Sequence, residues 1–471
     1  MGDRKKKMFR PRQSRPLKRR LTLLLGFCLA VYCLVFVSRS PSSRQTHGGQ
    51  TESTTASSTR PLPPELLNNL SLDEDECNIA FPGLTKEIDD AVAEGPFQVK
   101  QTGKLGPLQG RIKDGQIYII HAQRKSDLSQ EMLNSRTASL HQLHRALITS
   151  PTPLPNDTIF TLNFQDQPFG TAFTYSRPAD PHFRPPDPDA RNFLMPHFSF
   201  WAWPLPFIGS MSRAARAISE IEAEYPPGTD AWRRHKIGKA VWRGTTWFNS
   251  VQSPQLRQKL VAAARGQPWA DVQALEWNGK ETGLRGGGAG GRGGKDASNA
   301  LPIEGFCRYK YVVHTEGVSY SGRFQFLQMC ASVVLTPPIQ WMQHTTHLVR
   351  PLFSSELDLQ GGKGWTPSAR VNRAWPVRYK PEEANIVFVA PDWSDLGDVV
   401  AWLEDHPDIA EGIARRQRDL FVGGGYFSPA AEACYWRALV RGWAKVARTE
   451  GQGWEETEGI PFEAFSLTNG G

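Results

Sequence analysis

Three short stretches place chemically capable side chains directly after apolar runs. The first is Thr315-Glu316-Gly317-Val318-Ser319-Tyr320-Ser321-Gly322-Arg323, which joins a strand-like run at Tyr309–Thr315 to a helix-like run at Arg323–Ala331. Gly317 and Gly322 permit a tight main chain and close approach of a ligand, and Ser319 and Ser321 supply hydroxyls. A cation in the first turn of a helix opposes the helix dipole unless something negative is bound there, so Arg323 points to an anion. A nucleotide diphosphate suits the forked guanidinium contact, and the plain alternative is a glycine turn with a surface arginine. The second stretch, Trp242-Arg243-Gly244-Thr245-Thr246, repeats the order of strand, arginine, glycine and hydroxyls. Two such turns in one α/β unit are expected to line one pocket at the carboxyl ends of the strands. The third is Asp166, which follows the strand-like Thr158–Phe164 and precedes Pro168. A carboxylate there can act as a general base, although aspartate is also a common turn residue.

Rival chemistries fit less well. Asp187-Pro188-Asp189 has the D-x-D spacing of metal-dependent sugar transfer but lies in a proline-rich loop with no apolar strand before it. His141 and His144, and His344 and His347, have i,i+3 spacing without an HExxH pattern or a third ligand, so packing or solvated histidines are expected and no metal. Gly317 to Gly322 is one residue too long for a G-x-S-x-G nucleophile elbow, which argues against a serine hydrolase. The segment 283–294 holds eight glycines in twelve positions, yet a phosphate loop fails there twice, at Ala289 and at Asp296. A surface insertion at 279–300 is the better reading.

The elements that must position these residues alternate in type. Helical patterns cover Lys86–Glu94, Ser126–Ile148, Ser212–Glu224 and Ser253–Ala264, and three more cover 395–404, 407–421 and 428–447. Strand patterns cover Gln116–Ile120, Thr158–Phe164, Lys239–Arg243, Tyr309–Thr315, Ser332–Thr336 and Ile386–Val389. From about residue 211 the alternation argues for an α/β domain with a parallel sheet. Residues 176–206 are rich in proline and aromatic rings and must be packed to keep those rings out of water.

The chain has 471 residues and a formal charge of +8, but residues 1–20 hold ten Lys/Arg against Asp3 alone. The remaining residues sum to −1, which excludes a basic nucleic-acid-binding body. Leu21 to Val37 is free of charge, long enough for about 25 Å of helix. With the basic tail before it, a type II signal anchor with a lumenal body is expected. The Ser/Thr-rich Arg39–Arg60 reads as a stem. Asn69 and Asn156 head N-glycosylation sequons on that side. Cys77, Cys307, Cys330 and Cys434 allow three disulfide pairings or buried thiols, and the spacing does not choose.

Phe306 to Leu335, running Phe-Cys-Arg-Tyr-Lys-Tyr-Val-Val-His-Thr-Glu-Gly-Val-Ser-Tyr-Ser-Gly-Arg323-Phe-Gln-Phe-Leu-Gln-Met-Cys330-Ala-Ser-Val-Val-Leu, resembles the core signature of glycosyltransferase family 90. That family holds capsule-associated enzymes and protein O-glucosyltransferases. Tyr426-x-x-Ser-Pro-Ala-Ala-Glu-Ala-Cys-Tyr-Trp-Arg437 is similar to its fungal branch. The resemblance covers roughly residues 155–447. It implies a GT-B α/β architecture, two Rossmann-like domains facing across a cleft, and inverting, metal-independent transfer of a sugar, xylose or glucose, from a UDP-sugar to a glycan or glycoprotein hydroxyl. By motif it implies Asp166 as catalytic base. It also implies Arg243, Gly244, Thr245, Glu316, Gly317, Ser319, Ser321, Gly322 and Arg323 on the donor side, with Ser321 and Arg323 at the diphosphate. No cofactor is implied beyond the UDP-sugar co-substrate.

Departures from the family pattern are Trp242 in place of phenylalanine, Gly322 inserted before Arg323, and the insertion at 279–300. The expected organisation is a cytosolic tail at 1–20, an anchor at 21–37, a stem at 38–76, an acceptor-side domain at 77–230 and a donor-binding domain at 231–425. A C-terminal helix and tail at 426–471 would pack back on the first domain. Such a chain would sit in the Golgi or ER membrane. The rival from another class is a catalytically silent carbohydrate-binding or scaffold protein of the same fold.

Overall fold

Two six-stranded sheets organise the chain in a computed structural model that describes residues 61–470, apart from 103–105, 184–189, 206, 226–229, 278–296, 361–363 and 455–456. The first sheet contains β1 (Leu108–Lys113), β2 (Gln116–His121), β3 (Thr158–Leu162), β4 (Ala172–Thr174) and β5 (Asn192–Leu194). The short edge strand Ile460–Pro461 completes it, in the order Ile460–Pro461, β2, β1, β3, β4, β5. β1 and β2 form an antiparallel hairpin turned at Asp114-Gly115, both at positive φ (51° and 74°), a dipeptide whose backbone matches strand twist. β1 is antiparallel to β3, whereas β3, β4 and β5 run parallel. This sheet is therefore mixed, an antiparallel hairpin beside three parallel strands. Helices α1 (Glu74–Ala80), α2 (Lys86–Ala93) and α3 (Gln130–Ile148) belong to this half. Ser129 caps α3 by accepting the Met132 N–H, so the expected Ser126 start becomes a separate single turn at Lys125–Asp127.

After α4 (Met211–Ala223) the second sheet begins. It holds β6 (Ile237–Gly244), β7 (Ala270–Ala274), β8 (Tyr309–Val313), β9 (Val333–Thr336), β10 (Pro351–Phe353) and β11 (Ile386–Phe388). The order is β10-β11-β9-β8-β6-β7 and every pair is parallel, as the alternation predicts. β9, β10 and β11 are buried at every position, the mark of a parallel sheet covered on both faces. α5 (Leu256–Ala264), α6 (Phe324–Leu327), α7 (Leu396–Asp405) and α8 (Pro407–Arg418) accompany these strands.

The helix expected over Arg323–Ala331 is only the four residues of α6. Cys330 must turn back to pair with Cys307, and Phe324, Phe326 and Leu327 are all buried, so no solvent face remains for a longer amphipathic helix. α9 (Pro429–Val446) starts at Ser428, whose hydroxyl accepts the Ala431 N–H, and packs on α2 and α3 of the first half. The pairings left open by spacing are Cys77–Cys434, joining α1 to α9, and Cys307–Cys330.

The folded chain begins earlier than a stem ending at residue 76: the Leu62 N–H donates to the Gly423 carbonyl and Leu72 is buried. Residues 1–60, with the tail, anchor and Ser/Thr-rich stretch, lie outside the described residues, as do Asp187, Asp189 and the glycines of 283–294. Among the described residues no helix is long and apolar enough to cross a membrane.

Candidate active site

The site forms where the loops after β6 and β8 meet the turn after β3. β6 and β8 are neighbours, but the chain leaves β6 for β7 on one side and β8 for β9 on the other. Their carboxyl ends therefore flank a topological switch point, the place where open parallel sheets bind ligands. Within the β8 loop, the Gly317 N–H donates to the carbonyls of Ser319 and Tyr320, both at 3.1 Å. A Cβ on Gly317 would lie 3.2 Å from the Tyr320 carbonyl oxygen and 3.4 Å from Arg257 Nη2, so glycine is what lets that guanidinium approach.

Arg257 was not singled out from the sequence. It sits in α5, is 6% exposed, and donates to the Thr245 carbonyl (2.9 Å) and the Glu316 carbonyl (3.1 Å), stapling the two loops together. Arg323 reaches the same place from the other loop and donates to the Arg243 carbonyl. Burial lowers the pKa of both guanidinium groups, and Arg323 lowers that of Arg257 further while the Asp166 charge opposes the shift. Two like charges, Arg257 buried and Arg323 half-buried, neither in an ion pair among the described residues, make a site that favours an anion. The helix dipole contributes little, since α6 is one turn long and Arg323 is its N-cap.

Arg243 is placed differently. Its guanidinium turns toward β7, where it pairs with Asp271 (2.8 Å) and donates to the carbonyls of Asp271 (2.8 Å) and Asn299 (3.1 Å). Its carbonyl, not its charge, serves Arg323. A Cβ on Gly244 would lie 2.5 Å from the Trp242 ring, and the Trp242 indole donates to the Thr315 hydroxyl at 3.1 Å, tying the two loops. Thr245 is buried beneath Arg257.

Glu316 is committed to the main chain: its Oε1 accepts the N–H groups of Gln340 (2.9 Å) and Trp341 (2.8 Å), and burial pushes the carboxyl up to about 8. Ser321 is half-buried, and its carbonyl accepts the Phe324 N–H at 3.0 Å. Gly322 is buried against His197 and Trp203.

Asp166 stands on a turn fixed from both halves. The Asn163 amide donates to the Gln167 carbonyl (2.9 Å) and its Oδ1 accepts the Gln165 N–H (3.0 Å). Ser135 of α3 donates to the Phe164 carbonyl (3.1 Å), and Ser319 of the β8 loop donates to the Asp166 carbonyl (2.5 Å). The side chain touches solvent, yet enough protein surrounds it that burial raises its pKa above the ordinary 3.8, with Arg257 pulling the other way. A carboxylate with a raised pKa beside the Arg257 guanidinium can take a proton from a hydroxyl while an anionic leaving group is stabilised.

The histidine pairs have packing roles. His141 stacks on Trp201 at 4.9 Å, His144 lies against Phe462, His344 against Tyr435, and His347 donates to the Gly83 carbonyl at 2.9 Å. Among the described residues no group of three or more His, Cys, Asp or Glu is placed to hold a metal. Asn69 and Asn156 are both exposed.

A family model described as Glycosyl transferase family 90 matches residues 103–354, more than half of the chain and all of this site. The chain belongs to glycosyltransferase family 90. Its curated relatives include an O-glucosyltransferase rumi homolog of Anopheles gambiae, 24% identical over 48% of this chain and 49% of that one. Protein O-glucosyltransferase 1 of Rattus norvegicus is 22% identical over 59% of this chain and 58% of its own. The protein of the same name in Homo sapiens is 20% identical over 59% and 58%. This chain thus spans about half the length of the curated relatives it matches.

Proposed function

We propose that this family 90 protein transfers a sugar from a UDP-sugar to a hydroxyl of a glycan or glycoprotein, with inversion, on a GT-B frame made by the two sheets. The observation that carries the proposal is the pairing of Arg257 and Arg323 at the switch point, with Asp166 of the opposite half close enough to Arg257 to interact with its charge. Asp166 accepts the acceptor hydroxyl proton as that oxygen attacks the anomeric carbon. The bond from that carbon to the diphosphate breaks on the opposite face, and the negative charge developing on the diphosphate meets Arg323 and Arg257. These guanidinium groups supply the positive charge the leaving group needs, so no divalent cation enters the proposal.

Relatives named O-glucosyltransferases favour glucose as donor, and the likeness of Tyr426–Arg437 to the fungal branch keeps xylose beside it. We place the protein in the Golgi or ER membrane, anchored by Leu21–Val37, because a hydrophobic run after a basic tail supports a type II anchor. The test is UDP release by detergent-solubilised full-length protein from a panel of UDP-sugars with glycan and peptide acceptors, with and without EDTA. Release that needs acceptor and survives EDTA is the expected result. No release from any donor would favour a silent carbohydrate-binding protein, and loss in EDTA would overturn the metal-free assignment.

A further inference from the structure

Beyond the anion site, the loop between β6 and α5 leads into an open pocket of about 490 Å³ that the mechanism above leaves unused. Gln252 and Ser253 line it from that loop, Lys259 from α5, Trp365 from the segment after β10, and Asp392 and Ser394 from the turn after β11. Trp365 is set in place: its indole N–H donates to the Ser354 hydroxyl at 2.7 Å, and its ring stacks on Phe353 at 6.0 Å. Among the described lining residues Lys259 and Asp392 alone are charged, one of each sign, so nothing there selects for an anion.

The same loop holds apolar rings out in water. Trp247 is 45% and Phe248 48% exposed, their ring centroids 5.9 Å apart, and Val251 is 86% exposed. Asn249 keeps the loop from folding them away: its amide donates to the Thr246 carbonyl (2.7 Å) and its Oδ1 accepts the Arg257 N–H (3.0 Å). Polar groups of the loop are unserved as well. Ser250 is buried, and neither its Oγ nor the Gln252 Oε1 has a partner among the described residues. The Gln340 amide donates to the Ser253 hydroxyl at 2.9 Å and leaves its own Oε1 in the same state.

Exposed rings beside buried acceptors without donors are costly unless a ligand brings both apolar cover and hydroxyl groups. A sugar brings both, its C–H face for an aromatic ring and its hydroxyls for the amide oxygens. A nucleobase also offers an N–H. Gln255, Lys259, Asp392 and Ser394 are exposed, however, and an open trough without net charge suits a chain of sugars better than one enclosed base. Thr245, at the start of the loop, lies beneath Arg257, so this surface runs outward from the anion site. We infer that Trp247, Phe248 and the pocket at Gln252 and Trp365 hold a neutral acceptor glycan by units remote from the hydroxyl that reacts. The inference rests on the glycosyl-transfer reading and gives it an acceptor class.

The test uses detergent-solubilised full-length protein and compares wild type with Gln252→Leu and Trp247→Ala. One removes an unserved acceptor and the other an exposed ring, so both should keep the wild-type melting temperature. With the best UDP-sugar, kcat/KM is measured for gluco-, manno- and xylo-oligosaccharides of increasing length and for the methyl glycoside of each sugar. UDP itself serves as the calorimetric probe of the anion site. Expected is a wild-type preference of about tenfold or more for one oligosaccharide series over its methyl glycoside, lost in both variants. Transfer to the methyl glycoside and UDP affinity should stay within about twofold of wild type. A length preference absent from wild type, or retained in either variant, overturns the inference. So does a fall in UDP affinity that parallels the loss, which would give the pocket to the nucleotide, and so does transfer to peptides or water alone. Failure of the underlying reading looks different: wild type then consumes no UDP-sugar at all.

Discussion

In the proposed reaction Asp166 takes the proton and Arg257 meets the charge, so their substitutions should separate accordingly. Asp166→Asn keeps the turn, because its contacts use the main chain and Asn163, and should lower kcat by about 10²-fold or more with UDP affinity unchanged. The raised pKa of Asp166 sets the acid limb. A base of this kind acts only when ionised, so kcat/KM should fall as pH drops through a value raised above the ordinary 3.8, and Asp166→Asn should erase that limb. Arg257→Lys keeps a cation but loses the fork, and should weaken UDP binding about tenfold in calorimetry. Arg243→Lys should cost stability more than UDP affinity, since the Arg243 charge is spent on Asp271.

That Gly317 and Arg323 share one loop, and that Asp166 follows a strand, was legible from the sequence, and the structure brings all three to one place. Arg257 was not, because Leu256-Arg257-Gln258-Lys259 reads as the exposed face of a surface helix. Only the packing of α5 beneath two loops makes it an interior residue. The sequons also separate at this scale. Asn69 Oδ1 accepts the Ser71 N–H at 2.9 Å, whereas the Asn156 amide donates to Asp114 at 3.1 Å in the hairpin turn. Mass spectrometry of the detergent-solubilised full-length protein should find glycan on Asn69 in greater occupancy than on Asn156.

At the scale of elements, the β8 loop is shaped by what lies on either side of it. Cys307–Cys330 closes a 23-residue span around it, and Glu316 ties it to the segment at Gln340–Trp341. From the other side Trp393, held at φ 67°, sends its indole N–H to the Leu256 carbonyl at 2.9 Å, one residue before Arg257. A bulky residue in that conformation is strained, and its place beside α5 suggests what the strain maintains.

The Glu316 link has a pH consequence. Its folded pKa of about 8 lies above the unfolded 4.5, so the unfolded chain gains stability by ionising first. Stability therefore declines as pH rises from about 4.5 to about 8 and levels beyond. Glu316→Gln should flatten part of that decline in the melting temperature, and Glu432, pushed up by burial to about 7, accounts for a further part. The strands that escaped notice explain the limits of pattern: β7 (Ala-Asp-Val-Gln-Ala) is polar because it lies at the sheet edge, and β10 is three residues long. β1 lacks the alternation of its partner β2 because Gly110 leaves room for the Phe160 ring.

For the whole molecule, the question is what keeps Asp166 of one half opposite the arginines of the other. Several ties cross between the two halves among the described residues, and three of them lie close to the site. Ser319 bonds the Asp166 carbonyl, Arg177–Pro178 pairs antiparallel with Trp341–Met342, and Asp180 receives Arg373 at 3.0 and 2.7 Å with Arg370 at 3.8 Å. Asp180 is 4% exposed, and the Arg373 hydrogen bonds hold its carboxyl near 2. Because that pKa is depressed, the stability it confers is complete above the unfolded value of 3.8 and is lost only as pH falls toward 2.

The Asp180 carboxylate is thus ionised where Asp166, raised above 3.8, titrates, so protonating Asp166 should leave this tie in place. Removing one partner of a buried pair leaves the other charge unserved, so Asp180→Asn should destabilise the fold by about 1–3 kcal/mol, tempered here by the exposure of the arginines. Its second effect distinguishes a clamp from a mere brace. UDP binding, which the proposal assigns to the loops of the second sheet, should survive, while kcat should fall if Asp166 is the base the proposal makes it. Calorimetry with UDP beside steady-state kinetics reads both at once, and a variant that loses UDP affinity in step with kcat would show that the two halves do not act as separable bodies.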